Sequence, residues 1–296
     1  MPRSLCLALG LLAGLAGPGS AQPAMEAFTL RLIAEAGRVA EVPSVLHRPD
    51  VFGERPAIIL LPDGSAPDTR AGELAALLVE AGWTVLAMDL DPTPLDGLVP
   101  TRSGPIAPGS DPHGAAAALH QILAVLATDP LVDPHRIAAV GLGAGGRAAL
   151  LAASEALAEA QTGPDGLRFA AHAALYPGCG ALLDEGFADE DAWSLAPVAL
   201  LHAGRDDRDA AEDCGELRDA MRLAGRQPAL WQVYPDASYG WDYGDALGRI
   251  IRLPLPGGPP VTVRQDTEVA SDAADRLVRF LRQALEPPPR GRVAGR

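Results

Sequence analysis

Short apolar runs alternate with amphipathic segments from residue 57 to residue 285. Residues 57–61 and 84–88 are almost entirely apolar and are followed by a turn or an acidic side chain, which is typical of buried parallel strands. Between them, residues 69–81 carry leucines at helical spacing and are followed by Gly82, which predicts an amphipathic helix. The same reasoning predicts further strands at 137–140, 170–175, 197–201 and 229–234, and helices at 112–127, 144–160, 209–224 and 268–285.

This alternation predicts an α/β fold with a doubly wound, mostly parallel sheet and helices on both faces. Residues 28–47 alternate weakly and predict one or two edge strands. Ligands bind such sheets at the carboxyl ends of the strands, so the turns that follow the strands should share one rim. We expect that rim to contain Asp63, Asp89, Gly143, Pro177, Asp206 and Ser238.

One glycine-rich turn carries the most specific pattern in the chain. Gly141-Leu142-Gly143-Ala144-Gly145 has the frame G-x-S-x-G, in which an α/β hydrolase places its nucleophile, but the middle residue is glycine. The same letters satisfy the dinucleotide fingerprint G-x-G-x-x-G through Gly141, Gly143 and Gly146. That fingerprint normally opens the first strand–helix unit and requires an acid after the next strand, and neither condition holds here. The pattern therefore favours a nucleophile elbow, with an NAD(P)-binding oxidoreductase as the second alternative.

The N-terminus and the composition restrict the compartment and the partners. Residues 1–21 have a basic start, an apolar stretch and small residues before Gln22, which predicts a signal peptide and an exported, periplasmic or secreted protein. Residues 22–286 would form a single domain, and the proline- and arginine-rich residues 287–296 a disordered tail. The net charge is −14 and all 24 basic residues are arginine, so neither nucleic acid nor an anionic membrane is an expected partner. No segment is apolar enough for a membrane span.

The mature chain keeps two cysteines, Cys179 and Cys214. Both follow predicted neighbouring strands, so an oxidising compartment favours a disulfide between them, with two buried thiols as the alternative. Asp111, His113 and His120 match no strong metal-binding spacing, and we expect neither a metal ion nor a cofactor.

Several blocks, taken in order, resemble the dienelactone hydrolase family of α/β hydrolases over roughly residues 40–285. They are Ala57-Ile-Ile-Leu-Leu-Pro-Asp-Gly64, Ala81-Gly-Trp-Thr-Val-Leu-Ala-Met-Asp89, Val132-Asp-Pro-His-Arg-Ile137, Tyr176-Pro-Gly-Cys179, Gly204-Arg-Asp-Asp207 and Tyr234-Pro-Asp-Ala-Ser-Tyr-Gly-Trp-Asp242. The resemblance implies the α/β-hydrolase fold and a site that acts on carboxylic esters or lactones.

The resemblance also shows what the site lacks. The family order is nucleophile, acid and histidine, which places Gly143 at the nucleophile position, Asp206 or Asp207 at the acid position and Tyr239 at the histidine position. Independently of any family, no histidine follows His202, so a triad in that order cannot be assembled. Glycine adopts the strained backbone of an elbow without a side-chain clash, so the turn can persist without its nucleophile.

Other residues complete the candidate site. The backbone N–H groups of Ala144 and of Asp63 or Gly64 correspond to the oxyanion hole. A ligand pocket could also use Ser65, Arg102, His202 or Trp241.

We therefore predict a hydrolase-fold protein that has lost its serine-type triad and works by binding a ligand, such as a carbonyl or ester compound, or by interaction. The alternative is an active carboxylic-ester or lactone hydrolase with a rearranged site, for example one that uses Ser65 or a water held by Asp206 or Asp207.

Overall fold

The computed structural model describes residues 24–33, 39–64, 69–88, 111–188, 193–244, 248–255 and 259–286. The described strands are β1 (Ala24–Ile33), β2 (Val39–Arg48), β3 (Arg55–Leu61), β4 (Thr84–Met88), β5 (Val132–Leu142), β6 (Ala171–Leu175), β7 (Val198–Arg205), β8 (Leu230–Ser238), β9 (Ile250–Leu253) and β10 (Val261–Arg264). The described helices are α1 (Arg70–Glu80), α2 (Pro112–Leu126), α3 (Gly143–Leu151), α4 (Glu155–Thr162), α5 (Cys179–Asp184), α6 (Asp213–Leu223) and α7 (Thr267–Leu285). Several predictions lie outside the described residues, namely the signal peptide, the C-terminal tail, Ser65, Asp89 and Arg102.

Eight strands form one sheet in the order β1-β2-β4-β3-β5-β6-β7-β8. Strand β2 is antiparallel to both of its neighbours, and the strands from β4 to β8 pair in parallel. The prediction of a doubly wound, mostly parallel sheet is confirmed. Strand β1 is an edge strand as expected, whereas β2 is an interior strand because β4 pairs with its other side.

Strand β5 lies in the middle of the sheet and contributes to a core on each face. Ile137 and Ala139 join a cluster with residues of α2, α3 and α6, while Ala138 and Val140 join a second cluster with residues of α1 and α7. Because successive side chains of a strand point to opposite faces, a strand covered on both sides must be apolar at every position. This explains why residues 137–142 of β5, which are the part covered on both faces, have no hydrophobic–polar alternation.

Three features differ from the sequence prediction. The single helix predicted at 144–160 is two helices, because the chain turns at 152–154 and Ser154 caps α4 by accepting from the backbone N–H of Leu157. The helix predicted from residue 209 begins at Asp213. The short helix α5 and the antiparallel hairpin formed by β9 and β10 were not predicted. None of the described helices is both long and apolar enough to cross a bilayer.

Candidate active site

The glycine turn has the strand–turn–helix form of a nucleophile elbow. Strand β5 ends at Leu142, and α3 begins at Gly143, whose φ of +50° lies in the left-handed region. A Cβ at Gly141 would lie 2.2 Å from the carbonyl oxygen of Gly145, and one at Gly145 would lie 2.4 Å from the carbonyl oxygen of Pro62. These glycines let α3 pack directly on the ends of β5 and β3, so packing of the protein itself explains the glycine-rich pattern.

Tyr239 occupies the space in front of Gly143. A Cβ at Gly143 would lie 2.1 Å from the hydroxyl oxygen of Tyr239 and 3.1 Å from its Cζ. The Tyr239 side chain is fully buried, and its hydroxyl donates to Oδ2 of Asp63 at 2.6 Å. The residues at the expected nucleophile and histidine positions therefore face each other, and the tyrosine ring fills the volume between them.

Asp63 connects this tyrosine to a buried ion pair. Arg70, the first residue of α1, donates from Nη2 to Oδ2 of Asp63 at 2.6 Å, and both side chains are about 1% exposed. Arg70 Nη1 also donates to the hydroxyl of Tyr176 at 3.3 Å, and this hydroxyl in turn donates to Oδ1 of Asp242 at 2.9 Å. A continuous polar network thus joins Tyr239, Asp63, Arg70, Tyr176 and Asp242, with Arg70 and Asp63 as its buried ion pair.

The two aspartates at the acid position have different surroundings. Asp206 is buried and accepts two hydrogen bonds from the guanidinium of Arg208, at 2.9 and 2.6 Å. That guanidinium lies 4.4 Å from the centroid of the Tyr239 ring, so Asp206 reaches the site through Arg208. Asp207 is exposed and instead accepts from Arg252 and from the backbone N–H of Thr262.

The hairpin of β9 and β10 covers the other side of Tyr239. Val263 forms a β-bridge with Tyr239, and both Val261 and Val263 are fully buried. The backbone N–H of Arg264 donates to Ser238 Oγ at 2.8 Å. The bonds of Asp207 to Arg252 and Thr262 attach the same hairpin to the loop after β7, so Tyr239 is held between the hairpin and the elbow.

The electrostatics keep Tyr239 protonated. Its pKa is raised well above the usual value, first because it is buried and second because the Asp63 carboxylate opposes a phenolate. The pKa of Tyr176 is also raised well above the usual value by burial and by Asp242. Both phenols are therefore hydrogen-bond donors at neutral pH, and neither can act as the base that a triad requires.

The candidate oxyanion-hole residues lie at the same place. Asp63 and Gly64 follow β3 after Pro62, Ala144 lies in the first turn of α3, and Asp63 Cβ would be 2.8 Å from a Cβ at Gly143. The Asp63 side chain turns into the site and not away from it. An oxyanion would therefore form beside a carboxylate, although Arg70 partly compensates that charge.

Of the four pocket candidates, the two that the structure describes, Trp241 and His202, are buried in the protein interior. Trp241 is fully buried, and its ring packs edge-on against Tyr176 and Tyr234 with centroids 4.8 and 5.2 Å away. His202 is also buried, which lowers its pKa to about 3, and its Nδ1 lies 3.1 Å from Cys179 Sγ. The predicted disulfide between Cys179 and Cys214 is present.

Sequence reasoning missed the two arginines of the site. One feature of the sequence could have indicated Arg70: it is a cation at the start of a predicted helix, where the helix dipole disfavours positive charge. Nothing comparable in the sequence around Arg208 indicated that this arginine belongs to the site. Tyr176 was visible only as part of its tetrapeptide, and its φ of +41°, unusual for a side chain of this size, appears only in the structure.

A surface cavity of about 570 Å³ is present elsewhere and is lined by none of these residues. Its lining is Met25, His47, Pro49, Asp50, Val51, Ala76, Val79, Glu80 and Gly82.

No protein-family model matches the sequence, and no curated protein matches it either. Solved structures do match in fold. A candidate dienelactone hydrolase from Klebsiella pneumoniae subsp. pneumoniae is similar with a TM-score of 0.58 and 18% identity, covering 88% of this chain and 99% of that one. A dienelactone hydrolase-like promiscuous phosphotriesterase from metagenomic libraries has a TM-score of 0.60 at 17% identity, with coverage of 88% and 99%.

A third similar structure is esterase 2 of Thermogutta terrifontis, phosphonylated by cyclosarin, with a TM-score of 0.57 and 18% identity over 88% of this chain and 96% of that one. All three cover 88% of this chain at low identity, so they establish the fold and not the activity. The chain has the α/β-hydrolase fold in the form shared by dienelactone hydrolase-like proteins and related esterases.

Proposed function

We propose that this chain is an exported α/β-hydrolase-fold protein that does not hydrolyse esters and acts by binding a ligand or a partner. The observation that carries the proposal is the position of the Tyr239 hydroxyl, 2.1 Å from where a Cβ at Gly143 would be. Serine-type hydrolysis needs a nucleophile, a base in contact with it and room for the substrate carbonyl. The first is absent from the elbow, and Tyr239 occupies the volume that the other two would use.

The groups that remain are chemically unsuited to replace the triad. Tyr239 could serve as a nucleophile only as a phenolate, and burial and Asp63 both raise its pKa. Asp206 is engaged by Arg208 and does not contact the Tyr239 hydroxyl, which donates to Asp63 instead. A developing oxyanion would meet the carboxylate of Asp63 beside the elbow. Each of these features opposes acyl transfer independently of the missing serine.

Because protein atoms fill the elbow, a binding role would use other surfaces of the mature chain. Export is supported by the features of residues 1–21 and by the Cys179–Cys214 disulfide, since such bonds persist in oxidising compartments. The expected ligand class is a small carbonyl or ester compound.

The test is reaction of the purified mature chain with a fluorophosphonate probe and with p-nitrophenyl butyrate and a dienelactone. An active serine esterase serves as the positive control. We expect neither labelling nor turnover above background. Tyr239→Phe removes only the hydroxyl, so it should leave this background unchanged.

Two outcomes would overturn the proposal. Turnover that disappears in an Asp206→Asn/Asp207→Asn variant with an unchanged circular dichroism spectrum would identify an active hydrolase. Stoichiometric labelling that peptide mapping assigns to Ser65, and that Ser65→Ala abolishes, would establish the rearranged site directly.

A further inference from the structure

A second cluster of reactive side chains lies beside the disulfide. Cys179 begins α5, Cys214 lies in the first turn of α6, and His202 is on β7. The two sulfur atoms and one ring nitrogen of His202 all lie within 4.8 Å of one another. Cys179 and His202 are buried and Cys214 is partly exposed, so the cluster adjoins the surface on one side only.

We propose that reduction of the Cys179–Cys214 disulfide creates a zinc site whose ligands are the two thiolates and Nδ1 of His202. A dithiol reductant supplies two electrons and two protons: the S–S bond breaks, two thiols form, and the dithiol closes to its own disulfide. Zinc then binds as the two thiols release their protons to solvent. Two cysteines, one histidine and a solvent ligand form a known zinc coordination set.

The geometry already holds the ligands near the required separation. Zinc–sulfur bonds of about 2.3 Å and zinc–nitrogen bonds of about 2.0–2.1 Å place tetrahedral ligand atoms less than 4 Å apart. His202 Nδ1 lies 3.1 Å from Cys179 Sγ, and the two cysteine Cα atoms are 4.9 Å apart. After reduction, zinc coordination therefore requires only that the two cysteine side chains rotate and move their sulfur atoms apart.

The scaffold around the cysteines does not depend on the disulfide alone. Asp209 accepts hydrogen bonds from the backbone N–H groups of Cys179 and Gly180, at 2.9 and 3.0 Å, which holds the start of α5 against the loop before α6. Leu182 of α5 and Leu217 and Met221 of α6 lie fully buried in one core cluster. The thiols should therefore remain close to each other after reduction.

Charge balance favours a divalent, thiophilic ion, whereas the hydrogen bonding of His202 weakens its binding. Two thiolates and Zn²⁺ sum to zero, and a neutral complex avoids the cost of burying a net charge. His202 Nε2 is buried and has no hydrogen-bond partner among the described residues. Coordination through Nδ1 would place the ring proton of His202 on Nε2. A zinc-bound histidine usually donates that proton to a carboxylate, a carbonyl or water, and no described residue accepts it here. We therefore expect a lower zinc affinity than that of a site with such an acceptor.

The experiment compares the oxidised and reduced mature chain under argon. A water-soluble phosphine reduces the disulfide, forming two thiols and phosphine oxide with oxygen from water, and is then removed. Zinc chloride is titrated against a chromophoric chelator, and Co²⁺ is used in parallel because cobalt–thiolate absorption reports sulfur ligation. We expect about one equivalent of Zn²⁺ in the reduced chain and none in the oxidised chain.

Variants separate the site from adventitious binding. Cys179→Ser/Cys214→Ser should abolish binding, and His202→Asn should weaken it at least about 100-fold, the upper end of the loss expected for an outer-shell residue. His172→Asn, a change at a buried histidine outside the cluster, should leave binding unchanged.

Equal zinc binding by the reduced chain and the Cys179→Ser/Cys214→Ser variant would overturn the proposal, as would equal binding by the oxidised chain. If the reduced chain loses its circular dichroism signal, zinc should restore that signal, and failure to restore it would also overturn the proposal.

Discussion

The contact between Gly143 and Tyr239 makes a quantitative prediction. Gly143→Ala adds a Cβ that would lie 2.1 Å from the Tyr239 hydroxyl oxygen and 2.8 Å from Asp63 Cβ. Overpacking of a buried site costs about 1–3 kcal/mol, and a non-glycine residue at a φ of +50° costs about 1–2 kcal/mol more. We expect the free energy of unfolding, measured by urea titration with circular dichroism, to fall by about 2–5 kcal/mol.

A double-mutant cycle isolates the steric part of this loss. Tyr239→Phe removes the clashing oxygen but also its hydrogen bond to the Asp63 carboxylate, which costs about 1.5–3 kcal/mol. In the Tyr239→Phe variant, the ring atom of residue 239 nearest to the added Cβ is Cζ, at 3.1 Å. Gly143→Ala should therefore lower the free energy of unfolding by about 1–2 kcal/mol less in this variant than in the unchanged chain.

Gly225→Ala is the matched control. Gly225 has a φ of +72° and no atom within 4 Å of an added Cβ, so only the backbone strain applies and the loss should be about 1–2 kcal/mol. If Gly143→Ala costs no more than Gly225→Ala, or if the coupling with Tyr239→Phe is zero, Tyr239 does not fill the nucleophile position and the reasoning fails.

Three further predictions concern stability. Arg70→Met removes the guanidinium from the buried Asp63 carboxylate and should cost about 3–5 kcal/mol in urea titrations at pH 7, with a smaller loss when Asp63→Asn is added; equal losses would contradict a buried ion pair. Burial lowers the pKa of His172 to about 4 from 6.5, so the unfolded chain takes up a proton first as the pH falls through this window. Folding stability should therefore fall by up to about 3 kcal/mol between pH 6.5 and pH 4 on account of this group, and His172→Asn should flatten the urea midpoint against pH, whereas a change at exposed His135 should not. Ser154→Ala removes the N-cap of α4 and should cost about 1 kcal/mol, more than Thr69→Ala, because Thr69 makes no capping hydrogen bond to α1; the thermal midpoints of the two variants give the comparison.

The parallel sheet could be predicted from sequence because its strands carry local information. Residues 57–61 are all apolar and residues 84–88 are apolar after Thr84, a pattern typical of a strand covered on both faces. The break between α3 and α4 left no comparable trace, because alanine-rich residues favour a helix on both sides of Ser154. The β9–β10 hairpin was missed because its strands have only four residues each, too few for a periodic pattern to be recognised.

The candidate site shows the same division between local and long-range information. The glycine at position 143 and the tyrosine at position 239 could be assigned from motif order, since each lies within a recognisable block. Nothing in the sequence indicated that Asp63 accepts from Tyr239, 176 positions away, or that Arg70 pairs with the same carboxylate. These contacts depend on how β3, β5 and β8 are placed in the sheet, which single-sequence patterns do not specify.

The residues at the predicted nucleophile and histidine positions depend physically on each other. A chain with any side chain at position 143 could not hold Tyr239 in its present place, because even a Cβ would lie 2.1 Å from the hydroxyl. A serine at the predicted nucleophile position alone, Gly143→Ser, would therefore displace Tyr239 and break its bond to Asp63. Adding a histidine at position 239 as well would still leave Asp206 held by Arg208 and the Asp63 carboxylate beside the predicted oxyanion position. We expect a Gly143→Ser/Tyr239→His variant to remain unlabelled by a fluorophosphonate probe, since the elbow now belongs to a paired polar core in which Arg70, Asp63 and Tyr239 satisfy one another.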